Sequence, residues 1–280
     1  MRKVAVIGAG AAGLTATKRL SEPNSGCECC TFEQSDNVGG TWVYTDKVGK
    51  DEYGIPVHSS MYQGLRTNLP KEIMALPDLP HKGKSSKSYV TSQEVLDYFE
   101  EYADQFNLRK YMKFRHRVNT VSPMPNGQWK IVVTDLKQQK TSECYFDAVV
   151  ICIGNYSNSV YPNVKGMESF EGIQIHSHDY KEPLIFRNKN VVVIGAGPSG
   201  LDISTQISGH ANKVYLSHHS EKAKFIDFPE NVIQKPDLSE ISENEITFSD
   251  GSIVQADAIV YCTDRLKWIK KCNTYLPVYS

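Results

Sequence analysis

Residues 4–14 read VAVIGAGAAGL, and residues 191–201 read VVVIGAGPSGL. Each stretch opens with a short apolar run rich in β-branched residues, the composition of a buried parallel strand. Each then sets glycines in the order G-x-G-x-x-G and runs on into residues of helical character. In the first copy Gly8 permits a tight turn, Gly10 lets backbone approach a pyrophosphate, and Gly13 lets the helix pack on the strand. Ala9, Ala11 and Ala12 complete that candidate cofactor-binding turn. In the second copy Gly195, Gly197 and Gly200 hold the same places, with Ser199, Leu201 and Asp202 in the first helical turns. A helix N-terminus offers free N–H groups and the positive end of a dipole, which suits a phosphate.

The residues beyond each cradle differ. After the first, Thr31-Phe32 closes a second strand and Glu33 follows twenty residues after Gly13. A carboxylate at that spacing reaches a ribose hydroxyl. After the second, Val214-Tyr215-Leu216 ends in Ser217-His218-His219, with no acid. An acid would repel a 2′-phosphate, whereas a hydroxyl and imidazoles can hydrogen-bond it, so NADP is favoured over NAD at this site. Each histidine reads equally well as an exposed residue at a strand end.

Between the cradles, Thr91-Ser92-Gln93-Glu94 has the form of a capping box. It opens a helix whose Val95, Tyr98, Phe99, Tyr102 and Phe106 share one face. Residues 118–121 and 129–134, about Asn126-Gly127, read as a hairpin; residues 245–248 and 253–255 read as another. Residues 148–153 read as a buried strand and 258–262 as a further strand. The predicted fold is α/β: two dinucleotide-binding, Rossmann-like domains, the second inserted into the first. We place the first domain at 1–160, the second at 161–263, and a tail at 264–280.

Bulk properties narrow the function. The net charge of -1 gives no general attraction to nucleic acid or membrane. Apolar strand residues begin directly after Met1-Arg2-Lys3, so no signal peptide is expected, and no run approaches a membrane span. Seven Cys, an odd number, do not space as a disulfide framework, so a cytoplasmic setting is expected. Cys27-Glu28-Cys29-Cys30 contains a C-x-x-C but has no second close pair to complete a zinc site, and no metal is expected. A redox pair at a strand entrance would stand away from a flavin ring, so structural thiols are the preferred reading over a disulfide reductase.

Further motifs carry a resemblance. Val38-Gly39-Gly40-Thr41-Trp42 resembles the FAD-binding domains of flavoprotein reductases and monooxygenases, where a Gly-Gly pair passes close to the flavin; Gly40, Thr41 and Trp42 join the candidate FAD contacts. Phe170-x-Gly172-x-x-x-His176-x-x-x-Tyr180 matches the identifying motif of the flavin-containing monooxygenases. The chain resembles that family from Met1 to about Thr263, nearest in character to insect-type members. The resemblance implies FAD and NADP as cofactors. It implies transfer of one oxygen atom from O2 to a soft nitrogen or sulfur of a small-molecule amine or sulfide, as in N-oxygenation and xenobiotic metabolism. It leaves a homo-oligomer open. It also places Thr67 and Asn68, within Gln63–Glu72, beside the flavin, with Asn68 as the catalytic candidate.

Two departures from the family stand out. Asn155 stands where many members have His, and Asp264 replaces a Gly after the strand at 258–262. Residues 264–280, with Arg265, Lys267, Lys270 and Lys271, carry no family pattern. We therefore expect a fold lacking its C-terminal completion. The alternative function is a truncated, non-catalytic or peroxide-leaking form of such an enzyme.

Overall fold

The structure, a computed structural model, describes residues 1–83, 86–154, 159–263 and 276–277. The expectations for Asn155 and for the tail's Asp264, Arg265, Lys267, Lys270 and Lys271 fall outside the described residues. The chain divides near residue 157 into two compact units, and the two-residue strand Leu276–Pro277 belongs with the first.

In the first unit β1 (Arg2–Ile7), α1 (Ala11–Leu20) and β2 (Cys27–Phe32) are followed by a short helix α2 (Lys71–Met74) and a long one, α3 (Ser92–Gln105). Strands β3 (Met112–Lys113), β4 (His116–Pro123), β5 (Trp129–Asp135), β6 (Lys140–Phe146) and β7 (Ala148–Ile151) complete it. β1 lies between β2 and β7 and is parallel to both, with β3 beyond β2. The antiparallel meander β4–β5–β6 packs on this sheet, where Ala5, Ile7 and Phe32 meet Val118, Val121, Ile131 and Val133.

A separate core joins α1 to α3, through Leu14, Val95, Tyr98, Phe99 and Tyr102. The capping box forms: the Thr91 hydroxyl accepts from the Glu94 N–H, and the Glu94 carboxylate accepts from the Thr91 N–H. The helical spacing places the α3 aromatics on one buried face, each contributing about 1.5–3 kcal/mol on burial.

The second unit repeats the plan. It comprises β8 (Ile173–His176), β9 (Asn190–Ile194), α4 (Pro198–Ser208), β10 (Lys213–Ser217), β11 (Val232–Lys235), β12 (Leu238–Ile241), β13 (Glu245–Phe248), β14 (Ile253–Gln255) and β15 (Ala258–Tyr261). The parallel sheet runs β11-β10-β9-β15-β8, and the meander β12-β13-β14 packs on it through Ile241, Ile246 and Phe248 against Val192, Ile194, Ile259 and Tyr261. Ile203 and Ile207 are the buried face of α4.

Both expected hairpins are present, each with a strand the sequence did not announce. β6 and β12 carry exposed polar residues along much of their length, and they are strands because β5 and β13 pair with them. One expectation is corrected. The segment 148–153 is not a buried strand: among the described residues β7 is a sheet edge, with Ile151 43% and Ile153 47% exposed. Its apolar composition is that of a covered parallel strand, but only β1 pairs with it.

Candidate functional site

The first cradle is built as the glycine spacing implies. Gly8 has φ +100°, and a Cβ there would sit 2.5 Å from the Cys152 carbonyl oxygen. Gly13 brings α1 against the turn, where a Cβ would overlap the Gly8 carbonyl oxygen. Gly10 is different. Its φ of -75° and ψ of -169° suit any residue, and a Cβ would meet nothing nearer than the Gly40 Cα at 3.6 Å. Neither conformation nor packing requires glycine at Gly10. No side chain caps the α1 N-terminus and no acid lies in its first turn, which leaves its N–H groups for an anion. Ala9 is buried, Ala11 packs against the α3 core and Ala12 is exposed at the turn.

Two distant segments close on this cradle. The Gly39 N–H donates to the Ala9 carbonyl at 3.0 Å, which sets Gly40 opposite Gly10 at the head of the short turn Gly40–Trp42. The Thr41 carbonyl accepts from the Ser59 hydroxyl, and Trp42 packs on the α3 core. Glu33 leaves β2 and folds back: its buried carboxylate accepts from the Ala9 N–H at 2.6 Å and the Ser35 N–H at 2.8 Å. Thr67 is buried and exchanges hydrogen bonds with Val90, its N–H to the carbonyl and its hydroxyl from the N–H. Asn68, next to it, is exposed.

The second cradle reproduces the first. Gly195 has φ +103°, with the Cys262 carbonyl oxygen 2.6 Å from a built Cβ, and Gly200 packs on the Gly195 carbonyl as Gly13 does on Gly8. Gly197, at φ -74° and ψ 179°, would carry a Cβ with nothing within 4 Å. Ser199 and Leu201 lie half-buried in the first turn of α4, which also lacks a side-chain cap. Asp202 accepts from the Gln206 amide at 3.3 Å, and the Gln206 carbonyl accepts from the Tyr180 hydroxyl at 3.2 Å. The motif tyrosine is thus connected to the cradle helix. Its phenol is fully buried, and that burial pushes its pKa well up.

The other motif residues are packed in the same unit. Phe170 joins the meander core. Gly172 admits the Phe170 ring and the Asp257 carbonyl, either of which a Cβ would strike. His176 is buried, accepts from the His178 N–H at 3.1 Å and meets Tyr161 edge-on.

The strand ends of the two units correspond atom for atom. Gly8 N–H donates to Phe32 O as Gly195 N–H does to Ser217 O. Glu33 N–H donates to Lys113 O as His218 N–H does to Lys235 O. Ser35 N–H donates to the Glu33 carboxylate as Ser220 N–H does to His218 Nδ1. His218 therefore occupies the place of Glu33. Its other nitrogen meets Gln234 Oε1 at 2.8 Å, not the cradle, and the Ser217 hydroxyl donates to the Pro236 carbonyl. Of the three predicted phosphate contacts, only His219 is exposed; it lies 3.1 Å from an Asp237 carboxylate oxygen. Asp237 was not legible as a site residue, being eighteen positions further along, in the short connection between β11 and β12.

None of the described cysteines forms a disulfide. Burial pushes Cys29 up to about 11 and raises Cys30, so both stay protonated near neutrality. Among the described residues no group of His, Cys, Asp and Glu is gathered for a metal, and no helix is long and apolar enough to cross a membrane.

The flavin-binding monooxygenase-like family profile matches residues 1–226. Senecionine N-oxygenase from Tyria jacobaeae is 36% identical over 267 residues, covering 93% of this chain and 57% of its own length. The crystal structure of Tmm from Pelagibacter sp. strain HTCC7211 superposes with a TM-score of 0.88 at 32% identity, covering 94% of this chain and 61% of that one. S-allyl-L-cysteine S-oxygenase from Allium sativum gives a TM-score of 0.84 at 32% identity, with 94% and 62% covered. The chain thus spans about three-fifths of the length of the relatives it matches. With two glycine turns of the G-x-G-x-x-G form, one of them closed by a Gly-Gly turn, and a profile match over most of its length, the chain belongs to the flavin-binding monooxygenase-like family.

Proposed function

We propose that the first unit binds FAD and the second NADPH, and that the chain serves oxygen transfer from O2 to a soft nitrogen or sulfur of a small molecule. One observation carries the nucleotide reading. Gly10 and Gly197 are the positions in each cradle where glycine meets no demand of conformation or packing, so the space they leave suits a pyrophosphate. When bound, a flavin reduced by a nicotinamide supplies the activation of O2.

This chain's own residues have simpler tasks. Ala11, Ala12 and Gly13 present N–H groups to a pyrophosphate, and Glu33 offers its carboxylate to a ribose hydroxyl in exchange for the Ala9 N–H. Gly40–Trp42 lines the opposite wall of the groove. Asn68 offers an amide that both donates and accepts. The soft-nucleophile substrate class rests on relatives named as N- and S-oxygenases.

Flavin titration of the purified chain tests the first site. Gly10→Val fills the groove and should abolish the yellow bound-flavin spectrum while melting with wild type. Retained flavin at wild-type stoichiometry would overturn the assignment. Oxygenation of a tertiary amine and of a sulfide, followed as product per NADPH consumed, tests the activity.

A further inference from the structure

We propose that Asp237 sets the nucleotide preference of the second unit, holding it well short of the NADP selectivity that the missing strand-end acid implies. The inference rests on the reading of that unit as a nicotinamide-nucleotide site. In a parallel sheet the ligand lies beyond the carboxyl ends of the strands, with its adenosine ribose at the end of the strand after the cradle helix. Here that strand is β10, which ends at Ser217.

The correspondence between the units places His218 where the first unit has Glu33, and His218 is held by Gln234 and by the Ser220 N–H. No carboxylate comes from β10 itself. One comes instead from the end of the neighbouring strand: β11 pairs with β10 up to Lys235, and two residues later Asp237 sets its two oxygens 3.1 and 3.2 Å from His219 Nδ1. The His219 side chain is 89% exposed and that of Asp237 59% exposed, so both stand open to a ligand at this end of the sheet.

Two of the cations near this strand end are engaged elsewhere. Lys235 Nζ donates to the Ser252 hydroxyl and lies over the Phe248 ring, and Lys224 pairs with Glu221. A 2′-phosphate at this corner meets the His219 imidazole donor and the repelling Asp237 carboxylate, with the exposed Lys222 three positions further along the chain. A 2′-hydroxyl meets a carboxylate able to accept from it.

Calorimetric titration of the full chain with 2′,5′-ADP and with 5′-AMP, at one ionic strength, reads this balance without turnover. Asp237→Asn keeps an acceptor for a hydroxyl and removes the charge. It should raise the affinity ratio of 2′,5′-ADP to 5′-AMP about 3- to 10-fold, the size of a like-charge contact screened by water. His219→Ala, which leaves the carboxylate unopposed, should lower the same ratio by a similar factor. Because each variant is compared with itself, a loss of folded protein moves both affinities and not the ratio. An unchanged ratio in Asp237→Asn, with wild type binding both nucleotides, overturns the inference alone. Wild type binding neither nucleotide overturns the nicotinamide reading beneath it as well.

Discussion

Gly197 and Gly200 of the second cradle should fail in opposite ways when each is replaced by alanine. At Gly200 the new Cβ would overlap the Gly195 carbonyl oxygen, closer than the 3.0 Å that Cβ contacts respect, and the obstacle is backbone that cannot rotate away. The helix must back off its strand, at an overpacking cost of about 3 kcal/mol. Alanine's better helix propensity returns roughly 1 kcal/mol, so the clash prevails. The net loss of about 2 kcal/mol corresponds to a melting temperature lower by roughly 4–16 °C. At Gly197 the built Cβ meets nothing within 4 Å and the backbone is already in a region open to alanine. The poorer helix cap and the stiffer unfolded chain nearly cancel, leaving stability within about 1 kcal/mol. On the proposed nucleotide reading, however, the same methyl group intrudes on the pyrophosphate and should weaken NADPH binding at least roughly tenfold, or 1.4 kcal/mol. Thermal melts and NADPH calorimetry on both variants separate the two roles. If Gly197→Ala bound NADPH as wild type does, or melted as low as Gly200→Ala, the argument from unexplained glycines would fail.

Three further outcomes follow from particular contacts. Cys29 is neutral in the fold up to about 11 against 9.0 for a free thiol, so stability present below pH 9 should decline as pH rises from 9 toward 11; melts across that range read it, and a flat profile would contradict the buried thiol. Thr91→Ala removes the hydroxyl that accepts from Glu94 N–H and should cost about 1 kcal/mol in urea unfolding, with the slope unchanged. Asn68→Ala, at an exposed position, should leave stability within about 0.5 kcal/mol yet lower product formed per NADPH consumed; unchanged coupling removes Asn68 from the site.

Much of this molecule is decided over a few residues of chain. The glycine order, the strands before it, the capping box at Thr91 and the two hairpins depend on local dihedrals and on periodic apolar spacing, and each stands where its residues indicate. Even the Glu33 spacing belongs to this class, because a strand–helix–strand unit of fixed length leaves little freedom in where its second strand ends. The tertiary structure decided what depends on neighbours far away in sequence. β6 and β12 are strands because partners pair with them, and β7 is an edge because, among the described residues, β1 alone does. Ser217 and His218, alike in sequence to His219 as donors, are bound by Pro236 and Gln234, which only the pairing of β10 with β11 brings within reach. The same pairing delivers the Asp237 carboxylate to the strand end where the sequence shows no acid. Polar side chains at a strand end take whatever partner the adjacent strand supplies, and strand order is a property of the whole sheet, which no single stretch of residues encodes.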